Sequence, residues 1–368
     1  MAKVYMMNIR TTYDNNLLEK FSTLIEKSGF LEMNLTDKFV AIKVHFGEYG
    51  NLAYIKPQYA RILGDLIKEK GGKPFLTDCS TLYSGSRSDA ISHLNTATLN
   101  GWTYQTTGME NIIGDGLRGN DYKYIDVDLR HCSNVKIGSA IMEADIIISF
   151  NHVKGHEQAG FGGALKNLGM GCGSKLGKLE MHSGSKPVIS EDLCIACKMC
   201  TKNCNQNAIF MKEKAQIDYE KCVGCGECIV VCPKKAIKAK EESQSKILNE
   251  KIAEYAYGVL KDRTHFHINF LTNISPNCDC WSNNDAPIVP DIGILASFDP
   301  VAIDMASCNL VKQEKMLYNT ALSDLNTYAE SEDKFKCMHG KVDWEAGLTY
   351  AEELKLGSKE YEIISIDK

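Results

Sequence analysis

The spacing of cysteines constrains this chain more than any other feature of its sequence. Two runs share the pattern C-x2-C-x2-C-x3-C, and their members are Cys194, Cys197, Cys200 and Cys204, followed by Cys222, Cys225, Cys228 and Cys232. Three thiolates on one tight loop can bind three iron corners of a cubane, and the fourth ligand must come from elsewhere in the chain. The two runs therefore predict two [4Fe-4S] clusters.

The pairing of the runs is predicted to be crossed, because in ferredoxin-type sequences the fourth cysteine of each run binds the other cluster. One cluster is then assigned to Cys194, Cys197, Cys200 and Cys232, and the other to Cys222, Cys225, Cys228 and Cys204. A four-cysteine zinc site usually shows two CxxC pairs with a longer gap between them, and a disulfide framework is typical of secreted proteins. Asn205, not proline, follows Cys204, which leaves the reduction potential of the second cluster open.

Composition and charge indicate which partners and which cellular compartment to expect for this protein. The chain has 368 residues, of which 44% are hydrophobic, enough for two or three domains with buried cores. A net charge of -5 gives no reason to expect nucleic acid or an anionic membrane as a partner. The first ten residues lack the apolar core of a secretory signal, and the apolar run at 146–148 is too short to cross a bilayer. We therefore expect a cytoplasmic protein.

The sequence on both sides of the cysteine runs alternates between strand and helix patterns. Strands are predicted at 39–45, 74–77, 111–113, 145–150, 265–271 and 292–296, and helices at 57–70, 87–100, 137–143, 246–260 and 300–311. Such alternation predicts an α/β fold with a mostly parallel sheet covered by helices. The predicted domains are an α/β domain in two parts, 1–183 and 241–368, interrupted by a small α+β ferredoxin-type domain at 184–240.

Polar residues cluster directly after the predicted strands. Ligands of open α/β sheets bind at the carboxyl ends of the strands, so these residues are predicted to share one cleft. For proton transfer we select His45, Glu48, Asp78 and His156, and for binding an anionic ligand Lys43, His152, Lys154, Lys166 and Asn167. Structural histidines and a solvated basic loop remain open as alternatives.

Two further patterns concern ligand binding. The glycine-rich stretch 160–167 reads as a turn that opens a short helix, whose free N–H groups would attract phosphate or carboxylate, or else as a place of close backbone packing. Cys278 and Cys280, with Cys172 and His182 on a separate segment, offer soft ligands for an additional metal. Buried, inert thiols are the alternative for these cysteines.

Four stretches, at 41–51, 73–87, 152–178 and 278–304, resemble the domain of unknown function 362 family in its form with an inserted ferredoxin domain. This resemblance spans nearly the whole chain. It implies an α/β scaffold with a cluster-binding insert, and the family carries no general reaction. The segment 152–167 is also faintly similar to lactate racemase-type proteins.

Three functions are compatible with these features. The first is an oxidoreductase that relays electrons through two clusters to a substrate or cofactor in the cleft. The second is a dedicated electron-transfer protein that docks a redox partner. The third is a non-redox metal-dependent enzyme with structural or oxygen-sensing clusters. The first two require a protein that donates or accepts electrons, and the first also predicts an anionic small molecule.

Overall fold

A computed structural model describes residues 1–83, 85–182, 186–204, 206–222, 227–234, 236–239, 242–325, 333–340 and 342–367. Cys225, Asn205 and both predicted domain boundaries, at 183/184 and 240/241, lie outside these residues. The strands are β1 (Ala2–Asn8), β2 (Phe39–Val44), β3 (Lys73–Asp78), β4 (Asn111–Ile113), β5 (Tyr122–Asp126), β6 (Asn134–Gly138), β7 (Ile146–His152), β8 (Lys154–His156), β9 (Gly160–Gly162), β10 (Pro187–Ile189), β11 (Ile209–Met211), β12 (Ala215–Ile217), β13 (Ile237–Ala239), β14 (Thr264–Leu271), β15 (Gly293–Ser297) and β16 (Tyr361–Ser365).

The helices complete the alternation. They are α1 (Leu17–Lys27), α2 (Pro57–Glu69), α3 (Ala90–Leu99), α4 (Tyr104–Thr107), α5 (Ser139–Glu143), α6 (Ala164–Cys172), α7 (Lys175–His182), α8 (Met199–Lys202), α9 (Glu227–Val230), α10 (Glu242–Leu260), α11 (Pro300–Gln313), α12 (Lys334–His339) and α13 (Glu345–Glu353). Within the described ranges, none of these helices combines the length and the apolar character needed to cross a membrane.

One eight-stranded sheet organises the fold. Its strand order is β16-β1-β15-β14-β7-β2-β3-β4. β15 runs antiparallel to both of its neighbours, and the other seven strands run parallel to one another. The predicted α/β fold with a mostly parallel sheet is therefore confirmed.

The sheet is buried on both faces, which explains why β2 and β7 begin with uninterrupted apolar runs, at 39–42 and 146–148. Successive side chains of a strand point to opposite faces, so Ile146, Ile148 and Phe150 of β7 pack on one side and Ile147 on the other. The first side is covered by α1 and α2. Phe21 of α1 lies in the same apolar cluster as these β7 residues. The second side is covered by α6, α10 and α11.

Two predicted helices begin later than their sequence pattern indicates. The helix predicted at 87–100 begins at Ala90, because the side chain of Asp89 caps it by accepting a hydrogen bond from the Ser92 N–H at 3.0 Å. The helix predicted at 137–143 begins at Ser139, and this expectation was wrong for residues 137 and 138. They belong to β6, which pairs antiparallel with β5 and buries Val135 and Ile137 on alternate positions.

The segment between α7 and α10 contains its own small sheets. β10 pairs antiparallel with β13, and β11 pairs antiparallel with β12. A separate apolar cluster lies here, formed by Cys200, Ile209, Ala215, Cys228 and Ile237. In the described parts of this segment, no strand joins the eight-stranded sheet.

Candidate functional site

A cleft lies at the carboxyl edge of the sheet, where the loops after the parallel strands β2, β3 and β7 meet. Its volume is about 910 Å³, including the solvent at its mouth. Six of the predicted site residues line it, namely His45, Asp78, Lys154, His156, Lys166 and Asn167. The other three, Lys43, Glu48 and His152, are buried behind this lining and contact residues of the wall or of the adjoining turn.

A chain of buried ion pairs supports one wall of the cleft. Lys43 Nζ lies 2.9 Å from Asp78 Oδ1, and Arg87 joins Asp78 Oδ2 at 3.4 Å to Glu48 Oε2 at 3.1 Å. Burial alone would raise the pKa of Asp78, but Lys43 and His93 outweigh it and hold that pKa well below its usual range. Because both carboxylates are fixed in ion pairs, their geometry suits positioning better than proton transfer.

His45 and His156 are held in the same tautomer by the backbone. Nδ1 of His45 accepts a hydrogen bond from the Gly47 N–H at 3.1 Å, and Nδ1 of His156 accepts from Gln158 and Ala159 at 3.2 and 3.0 Å. Burial, together with Arg87 for His45 and Lys166 for His156, holds both pKa values well below the usual range. The rings are therefore neutral near pH 7, with their proton on Nε2.

Asp279 anchors the turn that follows β14. Its carboxylate lies 2.9 Å from His152 Nδ1 and 3.3 Å from Lys154 Nζ, while His152 Nε2 donates to the Thr272 carbonyl at 2.9 Å. Burial opposes ionisation of Asp279, but His152 and Lys154 lower its pKa. His152 and Lys154 thus fix the turn, whereas His156 lies on the cleft wall.

The start of α6 already holds an anion, and that anion belongs to the protein. The Asp304 carboxylate accepts hydrogen bonds from the N–H groups of Ala164 and Leu165 at 2.7 and 2.9 Å. A Cβ on Gly163 would lie 2.3 Å from Asp304 Oδ1, so only glycine allows this approach. The predicted attraction of this helix start for a carboxylate is therefore met internally.

Asn167 connects the cleft to a polar layer beneath it. Its Oδ1 accepts from Lys43 Nζ at 2.7 Å, and its Nδ2 donates to Asn151 Oδ1 at 2.8 Å. Asn151 donates to Asn269 Oδ1 at 2.8 Å, and Asn269 donates to Asp304 at 2.9 Å. This layer links the Lys43–Asp78 pair to the residue that caps α6.

Two cysteines and a histidine converge in the cleft. The ligand atoms of His156, Cys278 and Cys280 lie within 4.8 Å of one another, a spacing compatible with a metal-binding protein. Lys166 Nζ donates to Cys278 Sγ at 3.4 Å. His182 also lines the cleft, whereas Cys172 is buried in the core, where the Cys79 thiol donates to its carbonyl at 3.4 Å.

A second cavity, of about 350 Å³, lies in the segment between α7 and α10. Four cysteines line it, and they are Cys194, Cys197, Cys200 and Cys232. Ala196 and Lys198 adopt positive φ angles of 55° and 62°, so the first loop curls around the cavity. Hydrogen bonds from the N–H groups of Ala215 and Ala196 lower the pKa of Cys194 and favour its thiolate. Of the second ligand set, Cys225 lies outside the described residues.

The family described as "Domain of unknown function (DUF362)" matches residues 40–309, a range that includes every residue lining both cavities. The chain belongs to this family. No curated protein matches the sequence. Two solved structures resemble this DUF362 chain, the lactate racemase apoprotein from Thermoanaerobacterium thermosaccharolyticum and a protein from Thermotoga maritima.

Both likenesses are distant. The first has 10% sequence identity and a TM-score of 0.41 and covers 86% of this chain. The second has 13% identity and a TM-score of 0.41 and covers 80% of this chain. The DUF362 chain matches 58% of the length of each of these two proteins.

Several residues in and around the DUF362 cleft were not predicted from the sequence. Burial and the charge of Cys278 raise the pKa of Glu157 to about 7. Arg87 and Lys178 line the cleft, and the described residues contain no salt-bridge partner for Lys178, whose Nζ donates to the carbonyls of Gly171 and Gly173. Asp279 belongs to a polar stretch with Cys278 and Cys280 that the sequence indicates, but its ion pairs with His152 and Lys154 were not predicted.

Proposed function

We propose that this protein is an iron-sulfur oxidoreductase in which two [4Fe-4S] clusters exchange electrons with a small anion in the cleft. The observation that carries the proposal is the cavity lined by Cys194, Cys197, Cys200 and Cys232. Three of these cysteines come from one run and the fourth from the other, as crossed ligation in a ferredoxin-type insert requires. Zinc with four cysteine ligands would need their sulfurs around one ion, whereas a cubane holds each sulfur at a different corner.

The last cysteine of each run accepts a backbone hydrogen bond of the same kind. The Ala236 N–H donates to Cys232 Sγ at 3.2 Å, and the Ala208 N–H donates to Cys204 Sγ at 3.3 Å. Hydrogen bonds to cluster sulfurs are one of the features that set reduction potentials. The matching contacts support equivalent roles for Cys204 and Cys232 as the crossing ligands.

The surface beside the first cavity suits a protein that donates or accepts electrons. Cys197 is exposed, and the adjoining side chains of Ile195 and Met199 are 55% and 41% exposed. Lys198 and Lys202 lie on the same short stretch. An apolar contact surface with basic neighbours fits an acidic redox protein, whose docking would bring its cofactor close to the cluster.

The charges of the cleft favour an anion as the small molecule. Lys154 and Lys166 have anionic partners at contact distance, whereas the Lys178 ammonium hydrogen-bonds only to carbonyl oxygens among the residues described, and the charge of Asp115 acts on it from further away. A bound anion would give Lys178 a direct charge-assisted partner. His45, His156 and Glu157 remain for proton transfer, because Glu48 and Asp78 are fixed in ion pairs.

Changing Lys178 to Met tests this anion site. The variant loses one charge-assisted contact, worth about 1.5 to 3 kcal/mol, so the KM of an anion that oxidises the reduced clusters should rise about 10-fold or more. Iron content should not change, because Lys178 lines the cleft and not the cavity that the cysteines line. Lys70→Met, at an exposed position after α2, is the matched control and should behave as the wild type. An unchanged KM in the Lys178 variant would show that Lys178 does not bind the anion.

The oxidoreductase proposal is tested by reducing the clusters anaerobically and adding small anions, with visible absorbance as the readout. Reoxidation that saturates with the anion supports an enzyme. Reoxidation by partner proteins alone would support a dedicated electron carrier instead. Clusters that resist reversible reduction would support a structural or sensing role beside a non-redox reaction.

A further inference from the structure

We propose that Cys278 and Cys280 form a redox-active dithiol, and that a small disulfide is the compound with which this pair reacts in the cleft. The pair would add a two-electron centre to the protein. Its chemistry with a disulfide stands apart from the clusters, and only its recharging with electrons rests on the proposed function.

The two thiols are presented by a tight turn. The Trp281 N–H donates to the Cys278 carbonyl at 3.1 Å, which places Cys278 and Cys280 at the first and third positions of a β-turn. The two sulfurs lie within 4.8 Å of each other, and both line the cleft. Asp279 between them is anchored by His152 and Lys154, so the turn is held in place without either sulfur being used.

The surroundings distinguish the two sulfurs. Cys278 is 1% exposed and has the Lys166 ammonium 3.4 Å from its Sγ, a position that stabilises a thiolate. The neighbouring Cys280 thiol, whose effect outweighs burial, and the charge of Lys166 lower the pKa of Cys278, while Cys278 and burial raise the pKa of Cys280. Cys280 is the more accessible of the two. We therefore assign first contact with the substrate to Cys280 and resolution to Cys278.

A metal ion would satisfy this group less well. Nδ1 of His156 already accepts two backbone N–H groups, so Nε2 carries the proton and would have to lose it before binding a metal. The positive charge that a thiolate needs is supplied by Lys166. Among the described residues, no other histidine, cysteine or carboxylate completes this group to four ligands.

The reaction balances as two successive exchanges. Cys280 attacks one sulfur of the disulfide and forms a mixed disulfide, and its proton leaves with the other half of the substrate as a thiol. Cys278 then attacks the Cys280 sulfur, forms the Cys278–Cys280 disulfide and expels the second thiolate. Two electrons and one proton restore the thiolate and the thiol, and two clusters that each give one electron supply the electrons.

The test uses the anaerobically purified full-length protein and bis(2-hydroxyethyl) disulfide as the probe. After acid quenching and alkylation, mass spectrometry should show a Cys278–Cys280 disulfide. Cys308, buried in α11, is an internal control and should remain alkylatable after denaturation. Cys278→Ser should accumulate the probe as a mixed disulfide on Cys280, because the resolving thiolate is gone, and Cys280→Ser should not form the disulfide.

Outcomes for this pair and for the clusters are separable. If the anaerobically purified protein forms the disulfide but contains no iron, the disulfide supports the dithiol and the lack of iron counts against the oxidoreductase proposal. A loaded protein whose Cys278 and Cys280 stay reduced at probe concentrations that oxidise a free dithiol would overturn the dithiol alone. Stoichiometric metal lost on the Cys278→Ser change, with both cluster signals intact, would also overturn it in favour of a metal site.

Discussion

Replacing Cys232 with serine is expected to remove one cluster and leave the other, so that iron falls from about eight to about four per chain. The reason is spatial, because Cys232 shares a cavity with Cys194, Cys197 and Cys200 although it lies in the second run. The remaining paramagnetic signal should match that of the cluster assigned to the second run and Cys204. Iron and acid-labile sulfide analysis with electron paramagnetic resonance of the reduced protein provides the measurement.

The matched comparison is Cys194→Ser, a change in the other run of the sequence. Crossed ligation predicts that the two variants lose the same cluster and retain the same signal. Loss of different clusters in the two variants would show that each run holds its own cluster. Cys308→Ser, in the core and outside both cavities, controls for general effects of losing a thiol.

Changing Asp78 to Asn is expected to lower the free energy of unfolding by about 3 to 5 kcal/mol, because it leaves the buried Lys43 and Arg87 without their shared carboxylate. Anaerobic urea denaturation followed by circular dichroism measures the loss. Asp65→Asn is the matched control, since Asp65 forms a salt bridge with Arg61 on the surface of α2. That change should cost much less, because water screens an exposed ion pair. Equal losses in the two variants would mean that the buried ion pairs of Asp78 stabilise the fold no more than a surface ion pair does.

The Asp78 contribution should also depend on pH. The folded pKa of Asp78 is lowered, as burial is outweighed by Lys43 and His93, so the folded protein keeps the carboxylate ionised where the unfolded chain protonates it at about 3.9. Its stabilisation is therefore complete well above that pH and is lost as pH falls toward the folded pKa. The stability gap between wild type and Asp78→Asn should be constant from about pH 8 to 5 and should narrow below about pH 4. A gap that widened on acidification would contradict this sign.

Much of the sheet was predictable because each central strand carries its signal locally. The apolar runs of β2 and β7 are continuous, and Pro57 and Pro300 mark the helices α2 and α11. The strands β1 and β16 and the antiparallel direction of β15 were not anticipated. Pairing of β1 with β16 joins the two ends of the chain, which no local pattern specifies.

The candidate cleft was predictable in position but not in its internal contacts. Parallel strands bring their following loops to one edge, so the convergence of His45, Asp78 and His156 follows from topology. The hydrogen-bond partner of His152 is Asp279, which lies 127 residues further along the chain. The partner of the first N–H groups of α6 is Asp304, at least 139 residues further along. Burial then decides which groups titrate, and it gives Glu157 a pKa of about 7 that no sequence pattern indicates.

The central claim is that the two cysteine runs hold two clusters that can take up and release electrons. Its most direct test is Mössbauer spectroscopy of iron-57-labelled protein purified without oxygen, before and after reduction, with iron and sulfide counted in the same sample. We predict about eight iron and eight sulfide per chain, and cubane-type spectra that change reversibly on reduction. Stoichiometric zinc without sulfide, or iron that does not change on reduction, would contradict the account.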